Sequence, residues 1–279
     1  MGYQCFEVEE SRGIAHVRLS RGDKANSMIP AFWSELPAIV DEISDAGRAR
    51  VIVLSAEGRH FCAGMDLSVF TSGSGIATES GEVGRQRANV RLNLLHLQRS
   101  LTALEEARMP VLAAIQGACV GGGVDLVTAA DCRYATADAW FSIHEINIGM
   151  TADVGTLQRL PKLIPAGVAR EYAYTGRRMP AQRARELGLV NEVFDDHASM
   201  MEAVMDIAAE IASKSPLALY GTKEAINYSR DHSVEESLRH IALWQSGMLH
   251  PDDIIESLKA QSEGRAADFE DLGEVRKGL

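Results

Sequence analysis

Residues 111–130 read VLAAIQGACVGGGVDLVTAA, and their folding decides what kind of molecule this is. The run is apolar enough to suggest a membrane span. It contains Gly117, the triplet Gly121-Gly122-Gly123 and Asp125, however, and Pro110 stands just before it. One aspartate near a bilayer midplane costs about 2.5–3.5 kcal/mol on insertion scales, and glycines are poor helix formers. A buried strand over residues 111–115, a glycine turn and a helix from about Val124 fit the residues better. Consecutive glycines let backbone approach a ligand closely, and a helix start offers unpaired N–H groups. Three uses stay open: a phosphate cradle, an oxyanion hole, or a tight turn imposed by packing. Two phosphate signatures fail, because no Gly-Lys-Ser/Thr follows and no G-x-G-x-x-G pattern is present.

Working outward, residues 14–20 (IAHVRLS) alternate like a half-buried strand, and residues 51–55 (VIVLS) read as a covered one. Between them Phe32, Leu36, Ile39, Val40 and Ile43 fall at helical spacing over residues 29–44, with Asn26 or Ser27 as candidate cap. A second glycine turn, residues 61–67 (FCAGMDL), follows the second strand, and residues 68–84 read as a Ser/Gly/Thr-rich surface loop. A helix is predicted over 87–106, and strands over 132–135, 140–143 and 189–194. Helices are then predicted over 166–174, 181–187, 198–212, 216–229, 234–248 and 252–260, with Ser233 and Glu236 spaced as a capping box. The pattern predicts an α/β core over residues 1–195 and a helical assembly region over 196–279.

Composition narrows the function. The 279 residues carry 28 Lys plus Arg against 39 Asp plus Glu, a net charge of −11, which argues against a general nucleic-acid partner. Cys5, Cys62, Cys119 and Cys132 show neither C-x-x-C nor metal-type spacing, so reduced core thiols, no metal and an intracellular setting are expected. The first ten residues lack an apolar signal core, and Lys277-Gly278-Leu279 is not a proper S-K-L address, so the expected location is cytoplasmic, off the membrane.

Three acids stand in apolar surroundings: Asp125 just after the glycines, Glu145 after the strand at 140–143, and Asp153. Each has a plain reading, as a complement to the helix dipole, a solvated strand end, and an N-cap for residues 154–160 respectively. Buried carboxylates nevertheless need a reason to be where they are. His144 and Glu145 would point apart on a strand, which counts against a shared metal site, and no G-x-S-x-G elbow is present.

Taken together, residues 21–27 (RGDKANS), 61–67 (FCAGMDL) and 117–125 (GACVGGGVD) resemble the enoyl-CoA hydratase/isomerase (crotonase) superfamily over nearly the whole chain. The resemblance implies a crotonase-like spiral of repeated β-β-α units. It implies C-terminal helices that build a homotrimer, often paired as a homohexamer, and an acyl-CoA thioester as ligand. It assigns the oxyanion-hole N–H groups to Met65 and Gly122. It lines the CoA path with Ala63, Met65, Asp66, Leu67, Gly122 and Gly123, and brings Lys24 toward the CoA phosphates.

Typical hydratases of that family carry Glu where this chain has Asp125, and a second Glu at the position of Glu145. The set Asp125, Glu145 and Asp153, with residues 152–161 (ADVGTLQRLP) and 228–234 (YSRDHSV), is similar to the dienoyl-CoA isomerase subgroup. That similarity implies isomerisation of 3,5-dienoyl-CoA to 2,4-dienoyl-CoA in unsaturated fatty acid β-oxidation. Glu145 would take a proton at C2, Asp153 would give one at C6, and Asp125 would polarise or orient. No cofactor is expected, since coenzyme A is part of the substrate. The alternatives are an enoyl-CoA hydratase and a catalytically silent acyl-CoA- or RNA-binding member of the fold.

Overall fold

The computed structural model describes residues 2–66, 68–71, 82–276 and 278. In chain order the elements begin with β1 (Phe6–Ser11), β2 (Ile14–Leu19), α1 (Phe32–Ala46), β3 (Val51–Ala56), α2 (Ser68–Thr71) and α3 (Val83–Glu106). The middle comprises β4 (Val111–Ile115), β5 (Ala118–Val120), α4 (Gly122–Thr128), β6 (Cys132–Thr136), β7 (Trp140–Ser142), α5 (Thr156–Leu163) and α6 (Ala166–Thr175). It closes with β8 (Met179–Pro180), α7 (Ala181–Leu187), β9 (Glu192–Phe194), α8 (His197–Ala212), α9 (Pro216–Ser229), α10 (Val234–Met248) and α11 (Pro251–Glu263).

The strands form two layers. A six-stranded sheet runs β1-β2-β3-β4-β6-β9, antiparallel at β1-β2 and parallel from β2 onward. A smaller sheet, β5-β7-β8, is extended by single bridges between Cys62 and Cys119 and between Met28 and Met65. Successive stretches of chain thus add one strand to the large sheet, one strand or bridge to the small one, and a helix. This is the β-β-α spiral that the family resemblance implied. The quoted stretch 111–130 is a fully buried strand, a short second-layer strand and a buried helix.

Apolar periodicity explains α1. Phe32, Leu36, Ile39, Val40 and Ile43 are all buried on one face of α1, as their spacing predicted. The Ser233–Glu236 capping box is formed at the start of α10. The predicted caps of α1 are not: the helix begins at Phe32 after Ala31, because Asn26 and Ser27 spend their side chains elsewhere. The stretch 68–84 is also not one loop. Ser68–Thr71 is α2, and α3 starts at Val83, where the Glu82 carboxylate accepts from the Gly84 N–H at 2.7 Å. Residues 72–81 lie outside the described residues.

The helical segment begins as part of the core. Met200, Val204 and Ala208 of α8 are buried against Val51, Val53, Leu112, Ala114 and Tyr134 of the large sheet. In α9 the buried Lys223 Nζ donates to Leu104 O (2.7 Å) and Met109 O (2.9 Å) and pairs with Asp131 (2.9 Å). That pairing fastens the helix to the strand entering the glycine turn. Among the described residues no helix is long and apolar enough to cross a membrane.

Candidate active site

The two glycine turns meet. Residues 61–65 run beside β5, with Phe61 N–H on Gln116 O (2.8 Å), Cys62 N–H on Ala118 O (3.0 Å) and Val120 N–H on Cys62 O (2.9 Å). Gly64 then swings the chain at φ +85°. A Cβ there would lie 2.8 Å from Val120 O and 3.5 Å from Gly122 N, so the turns touch backbone to backbone. Met28 clamps the first turn, donating its N–H to Gly64 O (2.8 Å) and accepting from Asp66 N–H (3.0 Å). Between those bonds the Met65 N–H has no hydrogen-bond partner among the described residues, and neither does the Gly122 N–H.

Asn26 and Ser27 explain how the first turn holds its shape. The buried Asn26 sits at φ +52° and donates its amide to Glu57 O and His60 O, both at 2.9 Å. Ser27 Oγ donates to Asp66 Oδ2 at 2.8 Å. Read along the chain, both residues look like helix caps. Their partners lie more than thirty residues away in the sequence, where local patterning carries no signal.

Asp125 and Glu145 lie at the second turn, and Asp153 is near enough to both to act on them electrostatically. Asp125, at 0% exposure on α4, accepts from the Thr156 N–H at 2.5 Å and so caps α5 from a distance. This replaces the predicted cap: Asp153 does not cap this helix, whose N-cap position is Gly155. Glu145 lies over Gly121, where a Cβ would stand 3.0 Å from Glu145 Oε1, and the φ of +52° at that position is one that side chains rarely adopt. Asp125 Oδ2 and Glu145 Oε2 are buried without hydrogen-bond partners among the described residues.

Their electrostatics agree with this proximity. Burial pushes the Asp125 carboxyl up to about 7; Glu145 and, more weakly, Asp153 push the same way, while Thr156 pulls back. Burial also raises Glu145, with Asp153 adding to the rise, and burial raises Asp153.

The comparisons with known proteins bear on this arrangement. The family model described as enoyl-CoA hydratase/isomerase matches residues 9–272. The chain belongs to that family. The Delta(3,5)-Delta(2,4)-dienoyl-CoA isomerase, mitochondrial, of Rattus norvegicus is 42% identical over 263 residues, covering 94% of this chain and 80% of the rat protein. The peroxisomal enzyme of the same name from Arabidopsis thaliana is 40% identical over 273 residues, covering 97% and 98% of the two chains. Among solved structures, the enoyl-CoA hydratase of Bacillus anthracis superposes with a TM-score of 0.84 at 32% identity, covering 95% of this chain and 99% of that one. The two isomerases are named as mitochondrial and peroxisomal, so the expected cytoplasmic location draws no support from them.

The remaining described residues of the predicted set in this hydratase/isomerase family member lie at or near the two turns. Ala63 is exposed and donates its N–H to Ala25 O at 2.9 Å. Asp66 is held down at about 2 by hydrogen bonds from Ser68 and Ser27, with Arg21 4.0 Å away. Gly123 packs on Cys62, and a Cβ there would lie 3.0 Å from the cysteine's own. Lys24 is mostly exposed, 3.8 Å from Asp23. Leu67 lies outside the described residues. All described cysteines are free thiols, and burial raises the Cys62 thiol to about 12, which keeps it unreactive.

A stability measurement checks the Asp125 environment. An ordinary aspartate ionises near 3.9 when unfolded, whereas Asp125 stays protonated to about 7 when folded. Between those values the unfolded state binds fewer protons than the folded one, so stability falls as pH rises and levels off above about 7. The limiting slope for one such group is about −1.4 kcal/mol per pH unit. Asp125→Asn is expected to flatten this slope in denaturant titrations between pH 4 and 7. An unchanged slope would contradict the assignment.

Proposed function

We propose that this chain isomerises 3,5-dienoyl-CoA to 2,4-dienoyl-CoA in unsaturated fatty acid oxidation. The observation that carries the reading is that Asp125, Glu145 and Asp153 lie near enough to act on one another electrostatically, with Glu145 over a glycine turn whose Gly122 N–H, like the Met65 N–H of the first turn, has no partner among the described residues. The 42% and 40% identity to proteins named for that reaction supports it.

The chemistry needs what the residues offer. Glu145 takes the proton from C2, and the C–H electron pair forms the C1=C2 bond as the carbonyl pair moves onto the thioester oxygen, giving a dienolate conjugated with the C3 and C5 double bonds. The N–H groups of Met65 and Gly122 donate to that oxygen; one such donor is worth roughly 2.7–4 kcal/mol in a transition state. Asp153, whose burial favours the protonated form, delivers a proton to C6 as the double bonds settle at C2 and C4. The reacting carbons are too far apart for one short carboxylate, hence two separate acids. Asp125 is committed to Thr156, so its role is to orient the loop carrying Asp153. Ala63, Asp66, Leu67 and Gly123 are assigned to line the CoA path, and Lys24 to meet the CoA phosphates. The reaction as written uses no cofactor and no metal.

The deciding experiment compares isomerisation of a 3,5-dienoyl-CoA with hydration of crotonyl-CoA on one preparation. Isomerisation is expected to dominate. Dominant hydration would favour a hydratase, and salt-sensitive RNA binding without acyl-CoA turnover would favour a silent member of the fold.

Residues 1–195 are assigned the acyl-CoA site and 196–279 the assembly region, although α8 packs on the sheet. Val234, Leu238, Leu243, Leu249, Ile255 and Leu258 of the C-terminal segment are each more than half exposed, which supports a trimer or a hexamer. Sedimentation at micromolar concentration is expected to show one of these, and a monomer would exclude both.

A further inference from the structure

One face of α3 is polar where it meets the segment carrying Asp153. Gln98, Thr102 and Glu105 stand four and then three residues apart, the spacing that aligns side chains along one helix face. Gln98 Nε2 donates to the backbone carbonyl of Asp153 at 2.7 Å. Thr102 Oγ1 donates to Gln98 O (2.9 Å) and accepts from Arg159 Nη2 (3.1 Å). Glu105 Oε2 accepts from the same Arg159 nitrogen at 2.6 Å. Arg159 in turn lies over Gly155, its Nη1 occupying the space a Cβ would take, and donates to Val154 O at 3.4 Å. The other carboxylate oxygen of Glu105 is taken by Arg230, just past α9, and Asn227 donates to the Glu105 carbonyl at 3.0 Å.

Residues 153–156 are therefore gripped from both sides. The α3 face and Arg159 hold 153–155, and Asp125 holds the N–H of Thr156. The Gln98 bond runs to the Asp153 backbone, so it fixes where that residue stands without using its carboxylate. Small displacements of a reacting group carry large kinetic costs, with about 1 Å of misplacement costing on the order of 10²-fold.

We propose that Gln98, supported by Thr102 and by the Glu105–Arg159–Arg230 cluster, is a positioning residue that aims Asp153 at the distal carbon of the dienoyl thioester. This rests on the functional reading above. It adds that the two proton transfers are held by separate supports, since the α3 stripe grips the Asp153 segment whereas Glu145 lies over the glycine turn.

The test separates the two transfers. Gln98→Met keeps length and removes the donor; Glu105→Gln keeps shape and loosens Arg159. Each variant is assayed with 3,5-octadienoyl-CoA for kcat and KM of isomerisation. In D2O, each is also assayed for deuterium entering C2 of recovered substrate, a step that needs Glu145 but not Asp153. Both variants are expected to lose about 10-fold or more in kcat, with KM within about twofold and C2 exchange retained. Unchanged kcat in both, or a parallel loss of C2 exchange and isomerisation, would overturn the positioning role. Wild type and Asp153→Asn run alongside. A wild type that does not isomerise, or an Asp153→Asn variant that does so at full rate, would overturn the functional reading itself. Normal Gln98→Met kinetics beside an inactive Asp153→Asn would overturn only the positioning role.

Discussion

Asp153→Asn is expected to lower kcat for a 3,5-dienoyl-CoA by about 10²–10⁴-fold, the usual worth of a positioned acid–base group, while KM changes little. Asparagine matches aspartate in size, and the Asp153 anchor provided by Gln98 is on the backbone carbonyl, so the loop keeps its place. What disappears is the transferable proton, because an amide cannot deliver one to carbon at neutral pH. Burial already raises the Asp153 carboxyl above its ordinary value, which keeps more of it in the protonated, donating form than a surface aspartate would have. The variant should still exchange C2 hydrogen with solvent, because Glu145 and the two N–H donors are untouched. The measurement is the appearance of conjugated 2,4-dienoyl absorbance beside C2 deuterium uptake. Full turnover by Asp153→Asn would mean that another group reaches C6, and the three-acid reading would fall.

The sequence revealed the ingredients of this site better than their supports. Gly64 and Gly121 announce turns because their conformations, at φ +85° and +52°, are ones that side chains rarely adopt. Asp125, Glu145 and Asp153 stand out because charges in apolar company are costly unless something compensates them. Four features were not legible. β5 is only three residues long and sits inside an apolar run, so neither length nor period marks it off from β4. Asn26 and Ser27 look like caps since they precede an apolar helical pattern, yet their partners are at Glu57, His60 and Asp66. The cap of α5 comes from Asp125 rather than from its own chain neighbours, which no local pattern could show. The polar stripe on α3 is hidden for the same reason. Hydrophobic spacing picks out Leu97, Leu101 and Leu104, while Gln98, Thr102 and Glu105 read as a wet face until the 153–159 segment is laid against them.

Gly64→Ala should be nearly as damaging as the loss of Asp153, for a different reason. A left-handed conformation costs an alanine about 1–2 kcal/mol before any contact is counted. Here the new methyl would also lie 2.8 Å from Val120 O, a backbone atom that cannot easily yield. Its peptide neighbours are fixed by Val120 N–H on Cys62 O and Gly121 N–H on Ser142 O, both at 2.9 Å. The strain must instead be relieved by moving the first turn away from the second, and the residue that moves is followed directly by Met65. If the Met65 N–H leaves the place where the thioester oxygen develops charge, the transition state loses roughly 2.7–4 kcal/mol, or about 10²–10³-fold in kcat. Gly264 supplies the control. It caps α11 at φ +65° with nothing within 4 Å of where an added methyl would stand, so Gly264→Ala carries the backbone cost alone. Both variants should lower Tm, but only Gly64→Ala should lower kcat. Equal kcat in the two variants would show that close contact between the glycine turns is not what activates the thioester.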